Sequence, residues 1–200
     1  MSGQQRPDLL VLVADKNTQY SLQGLLCRPW ALGIREISRQ FHVHPKRDPG
    51  VFGQCHTFLR PLQKLADYAL VVCDREGCGR ESHSPRVLEV EMETRLAQSG
   101  WEHRSAAVVI DPELEAWLRT DSPEVPLVLG WSRERLSLTD WLVHRGYLQP
   151  GESKPMRPKE ALEELLRIVK KPRSSSLYGE LAEKVDFEYC SDPAFAKLKT

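Results

Sequence analysis

Three short stretches of the chain are apolar without alternation: Leu9 to Ala14, Ala69 to Cys73 and Ala106 to Ile110. Runs of this length and pattern predict strands buried on both faces, as in the middle of a parallel sheet. Each run ends in acids and then in a helical pattern. Asp15-Lys16-Asn17 follows the first, and Thr18 is read as the cap of a helix to about Cys27 that Pro29 stops. Asp74-Arg75-Glu76 follows the second, loosened by Gly77 and Gly79. Ser84-Pro85 then opens a helix whose buried face is Leu88, Met92 and Leu96. Asp111-Pro112-Glu113-Leu114-Glu115 follows the third, with Pro112 read as starting a helix. Glu113 would then lie in its first turn and Glu115 would pair with Arg119. Ile34 to His44 alternates, which predicts a half-exposed strand nearer an edge, with His42 and His44 as exposed strand residues. Pro45 to Gly53, carrying Lys46, Arg47 and Asp48, reads as a loop before a helix over Gln54 to Ala66 that Pro61 kinks or divides.

Three strand–acid–helix units in series imply an α/β fold: a parallel, Rossmannoid sheet with helices on both faces. The expected core spans residues 1–125. Residues 126–200 are expected to be a helical C-terminal layer on the same domain. It includes helices over Ser137 to Arg145, Lys159 to Val169 and Leu177 to Lys184, the second with a stripe of Leu162, Leu165, Leu166 and Val169.

Composition narrows the function classes a little. The 200 residues carry 28 Lys and Arg against 28 Asp and Glu, so any affinity for nucleic acid has to come from local clusters. Five scattered cysteines without a CxxC pair suit reduced thiols in a cytoplasmic protein, and no apolar run suits a membrane span or a signal peptide. The GxGxxG, GKS/T and GxSxG motifs are missing, which argues against a dinucleotide enzyme, a P-loop ATPase or an α/β-hydrolase. The histidines do not form a four-ligand zinc set. Trp30, Trp101 and Trp131 are candidates for a partner surface, with at least one expected outside the core.

The chemistry lies in the acids. In a sheet of this kind the strand ends share one rim, where ligands of open α/β sheets bind. Asp15, Asp74, Glu76 and Glu113 are the candidate catalytic acids, and with Glu115 they are the candidate ligands of Mg²⁺ or Mn²⁺. Hard oxygen donors suit such an ion, which suits phosphodiester chemistry. Residues two apart do not share a helix face, so Glu113 is the better ligand and Glu115 the better orienter. The acids also read as caps and solvated loops with no ion. A basic cluster, Lys154 to Arg173, reads either as a solvated helix face and flexible loop or as an arm contacting phosphate.

Several segments resemble a known family. Terminal acids after two buried strands, the second with a DxD-like pair, resemble the Toprim fold of topoisomerases, primases and OLD-type nucleases. PELEAWLRTD (Pro112 to Asp121), RPKEAL (Arg157 to Leu162), SSSLYGELAEKV (Ser174 to Val185) and CSDPAF (Cys190 to Phe195) resemble segments of the DUF4276 branch of Toprim-like bacterial proteins. With ADKNTQY and DREGCGRE, they also resemble a small subunit of methylation-associated anti-phage defence systems. The resemblance implies a Mg²⁺-dependent nuclease-type centre. Asp15 stands where the family has Glu, Asp74 and Glu76 stand for the DxD pair, Glu113 and Glu115 match its H-E-x-E acids, and Pro112 replaces the His. Lys16, in place of a glycine, would bring positive charge to the ion. Lys16, Arg157, Lys159, Lys171 and Arg173 are the candidate nucleic-acid contacts, and other defence subunits are expected partners. The alternative is a non-catalytic subunit that binds nucleic acid or protein through a degenerate site.

Overall fold

The computed structural model describes residues 6–117, 122–132, 136–152, 154–186, 190 and 192–199. Four strands form one all-parallel sheet in the order β2-β1-β3-β4: β1 Leu9–Val13, β2 Arg39–Val43, β3 Tyr68–Asp74 and β4 Ser105–Ile110. The three unbroken apolar runs are the two inner strands, β1 and β3, and β4. The alternating segment is β2, an edge strand. It is shorter than the pattern predicts, because Asp8 takes up Ser38 and Arg35. Its carboxylate accepts the Ser38 backbone N–H at 2.7 Å, the Ser38 hydroxyl at 2.7 Å and the Arg35 guanidinium at 2.6 Å.

Alternate residues of β1, β3 and β4 enter two cores. Val11, Val13, Leu70, Val72, Val108 and Ile110 pack on one face with helix α1 (Lys16–Leu26) and the C-terminal helices. Those helices are α5 (Glu124–Leu129), α6 (Leu138–His144), α7 (Pro158–Val169), α8 (Ser175–Lys184) and α9 (Pro193–Leu198). Leu10, Leu12, Ala69, Val71, Ala107 and Val109 pack on the other face with α3 (Arg47–Leu59) and α4 (Pro85–Leu96). The short helix α2 (Pro29–Leu32) follows α1. The described C-terminal helices are therefore part of the core on one face, since Leu162, Leu165, Leu166 and Phe195 share a cluster with the sheet.

Helices α1 and α8 touch through Gly24, where a Cβ would stand 2.7 Å from the Gly179 carbonyl oxygen. The edge of β4 is covered by side chains: Glu93 accepts the Ala107 N–H at 3.0 Å and Glu89 accepts the Val109 N–H at 3.1 Å. Lys197 of α9 pairs with both carboxylates, at 2.9 Å from Glu89 and 2.8 Å from Glu93. Strand N–H groups that would otherwise recruit another chain are thus satisfied internally.

Two helix assignments from the pattern need correction. Helix α3 starts at Arg47, within the segment expected to be a loop, and its last turn passes into a 3₁₀ turn at Arg60–Leu62. Pro49 falls in the first turn, where a missing N–H costs nothing, so it does not exclude a helix. After β4 the chain makes a 3₁₀ turn, Leu114–Trp117, in place of a helix begun by Pro112. Arg119, the expected partner of Glu115, lies outside the described residues. His44 is also buried, at 3% exposure, with its ring tilted against Phe58 at 5.3 Å, contrary to its expected exposure. Trp30 is 78% exposed while Trp101 and Trp131 are buried, so one of the three tryptophans lies on the surface. Among the described residues no helix is long and apolar enough to cross a membrane.

Candidate functional site

Helix α1, which follows β1, covers one face of the sheet, and α4, which follows β3, covers the other. The chain therefore switches face between adjacent strands β1 and β3, and a crevice opens at their carboxyl ends. Asp15 leaves β1 there and Asp74 ends β3. A cleft of about 510 Å³ at this point is lined by all five acids expected from the sequence. It is lined as well by Asp48, which the sequence did not single out, because α3 begins seven residues earlier than Gln54.

Most of these carboxylates have one oxygen engaged by the scaffold. Asp15 is itself the cap of α1, accepting the Thr18 N–H at 2.8 Å and the Thr18 hydroxyl at 3.0 Å. Thr18 is therefore not the cap. Asp48 accepts the Asp74 backbone N–H at 2.9 Å, which ties the start of α3 to the end of β3. Glu113 accepts the Lys159 backbone N–H at 3.0 Å and so serves as a remote cap for α7, which has none of its own. Glu115, only 4% exposed, accepts the Tyr178 hydroxyl at 2.5 Å and Arg173 Nη2 at 2.7 Å. The segment is a 3₁₀ turn with Glu113 just ahead of it, and both acids line the same cleft, with Glu115 engaged by Tyr178 and Arg173. Glu76 is exposed at the lip, its backbone N–H bonded to the Pro112 carbonyl at 2.9 Å.

Asp74 differs from the others. It lies at the cleft floor, half-buried as a residue, and its Oδ1 is sealed from solvent with no hydrogen-bond partner. Burial pushes its carboxyl well above the usual carboxylate range; the charges of Asp48 and Glu115, and more weakly Asp15, add to this, and the Leu114 N–H opposes it. Burial also raises Asp48, with Asp15 adding and the Asp74 N–H opposing. Glu113 is raised by burial and by Glu115, with the Lys159 N–H pulling back. The floor thus favours a proton or a cation on its carboxylates over bare negative charge.

The basic residues divide. Arg157 and Lys159 line the cleft, and Arg157 also pairs with Glu160 at 2.8 Å. Arg173 lines it too, but its guanidinium is spent on Glu115, on Glu163 at 2.6 Å and on the Tyr178 hydroxyl at 2.9 Å. Lys171 turns away, donating to the Val128 carbonyl and lying 3.9 Å from Glu180. Lys16 is exposed and donates to Gln19 at 2.9 Å, along the helix rather than into the cleft. The expected basic arm is therefore not one arm. Its last two cations hold the C-terminal layer together, and Lys16 does not bring its charge to the acids. Arg47, from the first turn of α3, is a cleft cation that the sequence reading passed over.

The donor set is hard oxygen throughout, as Mg²⁺ or Mn²⁺ requires. The sealed, unpartnered Asp74 oxygen is the feature that fits a cation, since an anionic oxygen without a donor is costly in a buried place. Among the described residues no three His, Cys, Asp or Glu side chains stand in a group that could hold an ion as placed. No family model matches the chain, and neither a curated protein nor a solved structure does. What the chain is shown to be is an α/β protein with a four-stranded, all-parallel sheet, about half helical, and an acidic cleft at the strand ends.

Proposed function

We propose that this chain is a Toprim-like, divalent-cation-dependent protein acting on nucleic-acid phosphodiesters as a component of a bacterial anti-phage defence system. The observation that carries the reading is the Asp74 Oδ1 atom, buried without a partner among carboxylates that converge from β1, α3, β3 and the turn after β4. Asp74 and Asp15, with Asp48, would hold Mg²⁺ or Mn²⁺, with Glu76 at the lip and Glu113 within reach. Bound there, such an ion would supply an activated water and neutralise charge on a phosphoryl group. The residues themselves do the rest: Asp48 fixes Asp74 through its backbone N–H, Glu113 and Glu115 hold the C-terminal layer as one wall, and Arg157 and Lys159 meet phosphate at the rim. The described lining carries eight acids against four bases. A phosphate would enter only with a cation bound. The Toprim-like identity and the defence setting rest on the sequence resemblance.

A second reading is favoured by one observation: among the described residues no three side chains are grouped to hold an ion. In that reading the cleft is a degenerate site, and the chain binds nucleic acid or a partner subunit without catalysis. Exposed Trp30 is the candidate partner contact.

The test is a nuclease assay with Mg²⁺ or Mn²⁺ beside a phage-protection assay in the intact locus. Asp74→Asn removes a negative charge while keeping size. It should abolish both cleavage and protection with the fold retained by circular dichroism. Protection that persists unchanged in Asp74→Asn would exclude the catalytic reading and leave the binding one.

A further inference from the structure

Resting on the cation and phosphodiester reading above, we infer that Arg47 grips the phosphate of the nucleic-acid strand that enters the cleft. Arg47 lines the cleft, is exposed, and its guanidinium makes no hydrogen bond or ion pair among the described residues. Of the other cleft arginines, Arg173 is held by Glu115 and Glu163, and Arg157, at the rim, shares its charge with the exposed Glu160. A guanidinium presents paired N–H donors that match two phosphate oxygens, which a lysine cannot do.

The backbone at Arg47 is built to aim it. Its φ is +51°, in the left-handed region that a non-glycine residue rarely adopts. Strain of this kind persists only where the surroundings impose it, and it gathers at functional sites. Here the surroundings are visible. The Arg47 N–H donates to the His44 carbonyl at 3.0 Å, and the Lys46 N–H donates to His44 Nδ1 at 3.2 Å. Gly50 packs so close that a Cβ there would lie 2.1 Å from the same nitrogen. One residue on, Asp48 is bonded to the Asp74 N–H at 2.9 Å. The position of Arg47 is thereby fixed relative to Asp74, whose sealed oxygen marks where a cation is wanted. Helix α3, 13 residues long, also starts here without a side-chain cap, so its first turn adds favourable potential for an anion. A phosphate entering this cleft would find part of its charge met by Arg47.

The experiment measures binding of a short, cleavage-resistant phosphorothioate oligothymidylate to the full chain in Mn²⁺, over a salt series. Mn²⁺ calorimetry and melting are run on the same proteins. The variants are Arg47→Ala, Arg47→Lys and Arg47→Gly. Glycine suits the left-handed backbone, so a loss in that variant with an unchanged Tm is not misfolding. Arg47→Ala and Arg47→Gly should weaken oligonucleotide binding about tenfold and make the salt slope shallower by about 0.7, one phosphate contact on a single strand. Mn²⁺ affinity should be unchanged, and Arg47→Lys should recover part of the loss. Wild-type affinity and slope in the Ala and Gly variants, with Mn²⁺ still bound, would overturn the role of Arg47 and leave the cation reading standing. A wild-type protein that takes up neither Mn²⁺ nor the oligonucleotide would overturn both.

Discussion

At the scale of single residues, Asp74 sits at the end of an inner strand, its backbone N–H is held by Asp48, and its Oδ1 is sealed without a donor. Its raised folded-state pKa has a definite sign for stability. A carboxyl whose folded pKa exceeds its unfolded value of about 3.9 contributes stability below that value and loses it as pH rises through the folded pKa. The cation-free protein should therefore weaken from about pH 4 upward on account of Asp74, with Asp48 and Glu113 acting in the same direction. Asp74→Asn should remove most of this slope. By thermal melting it should be more stable than wild type by on the order of 1 kcal/mol at about pH 8 and no more stable below about pH 4. An unchanged pH profile in the variant would mean that Asp74 is solvated or already paired. At this scale the sequence told much: Asp15, Asp74, Glu76, Glu113 and Glu115 all reach one cleft. The pattern places Arg47 and Asp48 in a loop rather than at the cleft, because Pro49, Gly50 and Gly53 read as a loop. Pro49 in fact fits a first helical turn, and Gly50 is required by the close approach of His44.

At the scale of elements, the turn after β4 does more than carry acids. Glu113 caps α7, and Glu115 receives Tyr178 from α8 and Arg173 from the segment between those helices. The C-terminal layer is docked on the acids of the cleft. Lys171 and Arg173, which by charge alone suggested a phosphate arm, are components of that docking, a long-range pairing that no local pattern reveals. Arg173→Ala leaves the Glu115 carboxylate buried and short of a cation. With the arginine itself partly exposed, the loss should be about 2 kcal/mol in denaturant melts. Its oligonucleotide salt slope should stay at the wild-type value. A shallower slope with unchanged stability would return Arg173 to the role of a phosphate contact. The strands were easier to read than these contacts, because an unbroken apolar run of five or six residues calls for burial on both faces, which β1 and β3 find inside the sheet and β4 finds at an edge covered by Glu89, Glu93 and Lys197.

At the scale of the molecule, three features converge on one place. The order β2-β1-β3-β4 and the change of covered face between β1 and β3 put a crevice at the strand ends. Apolar burial on both faces holds the sheet rigid beneath it, and helices α3 and α7 bring cations to its rim. The whole arrangement disfavours bare carboxylate charge at the floor. A ligand that binds only the folded state raises its stability by mass action, so a divalent ion should do so here. The most direct measurement is calorimetric titration of Mn²⁺ into the wild-type chain and Asp74→Asn at neutral pH, with melting of each. Saturable binding and a raised Tm are expected in the wild type, and neither in the folded Asp74→Asn protein. A wild type that shows no heat of binding and no shift in Tm at millimolar Mn²⁺ would contradict the account.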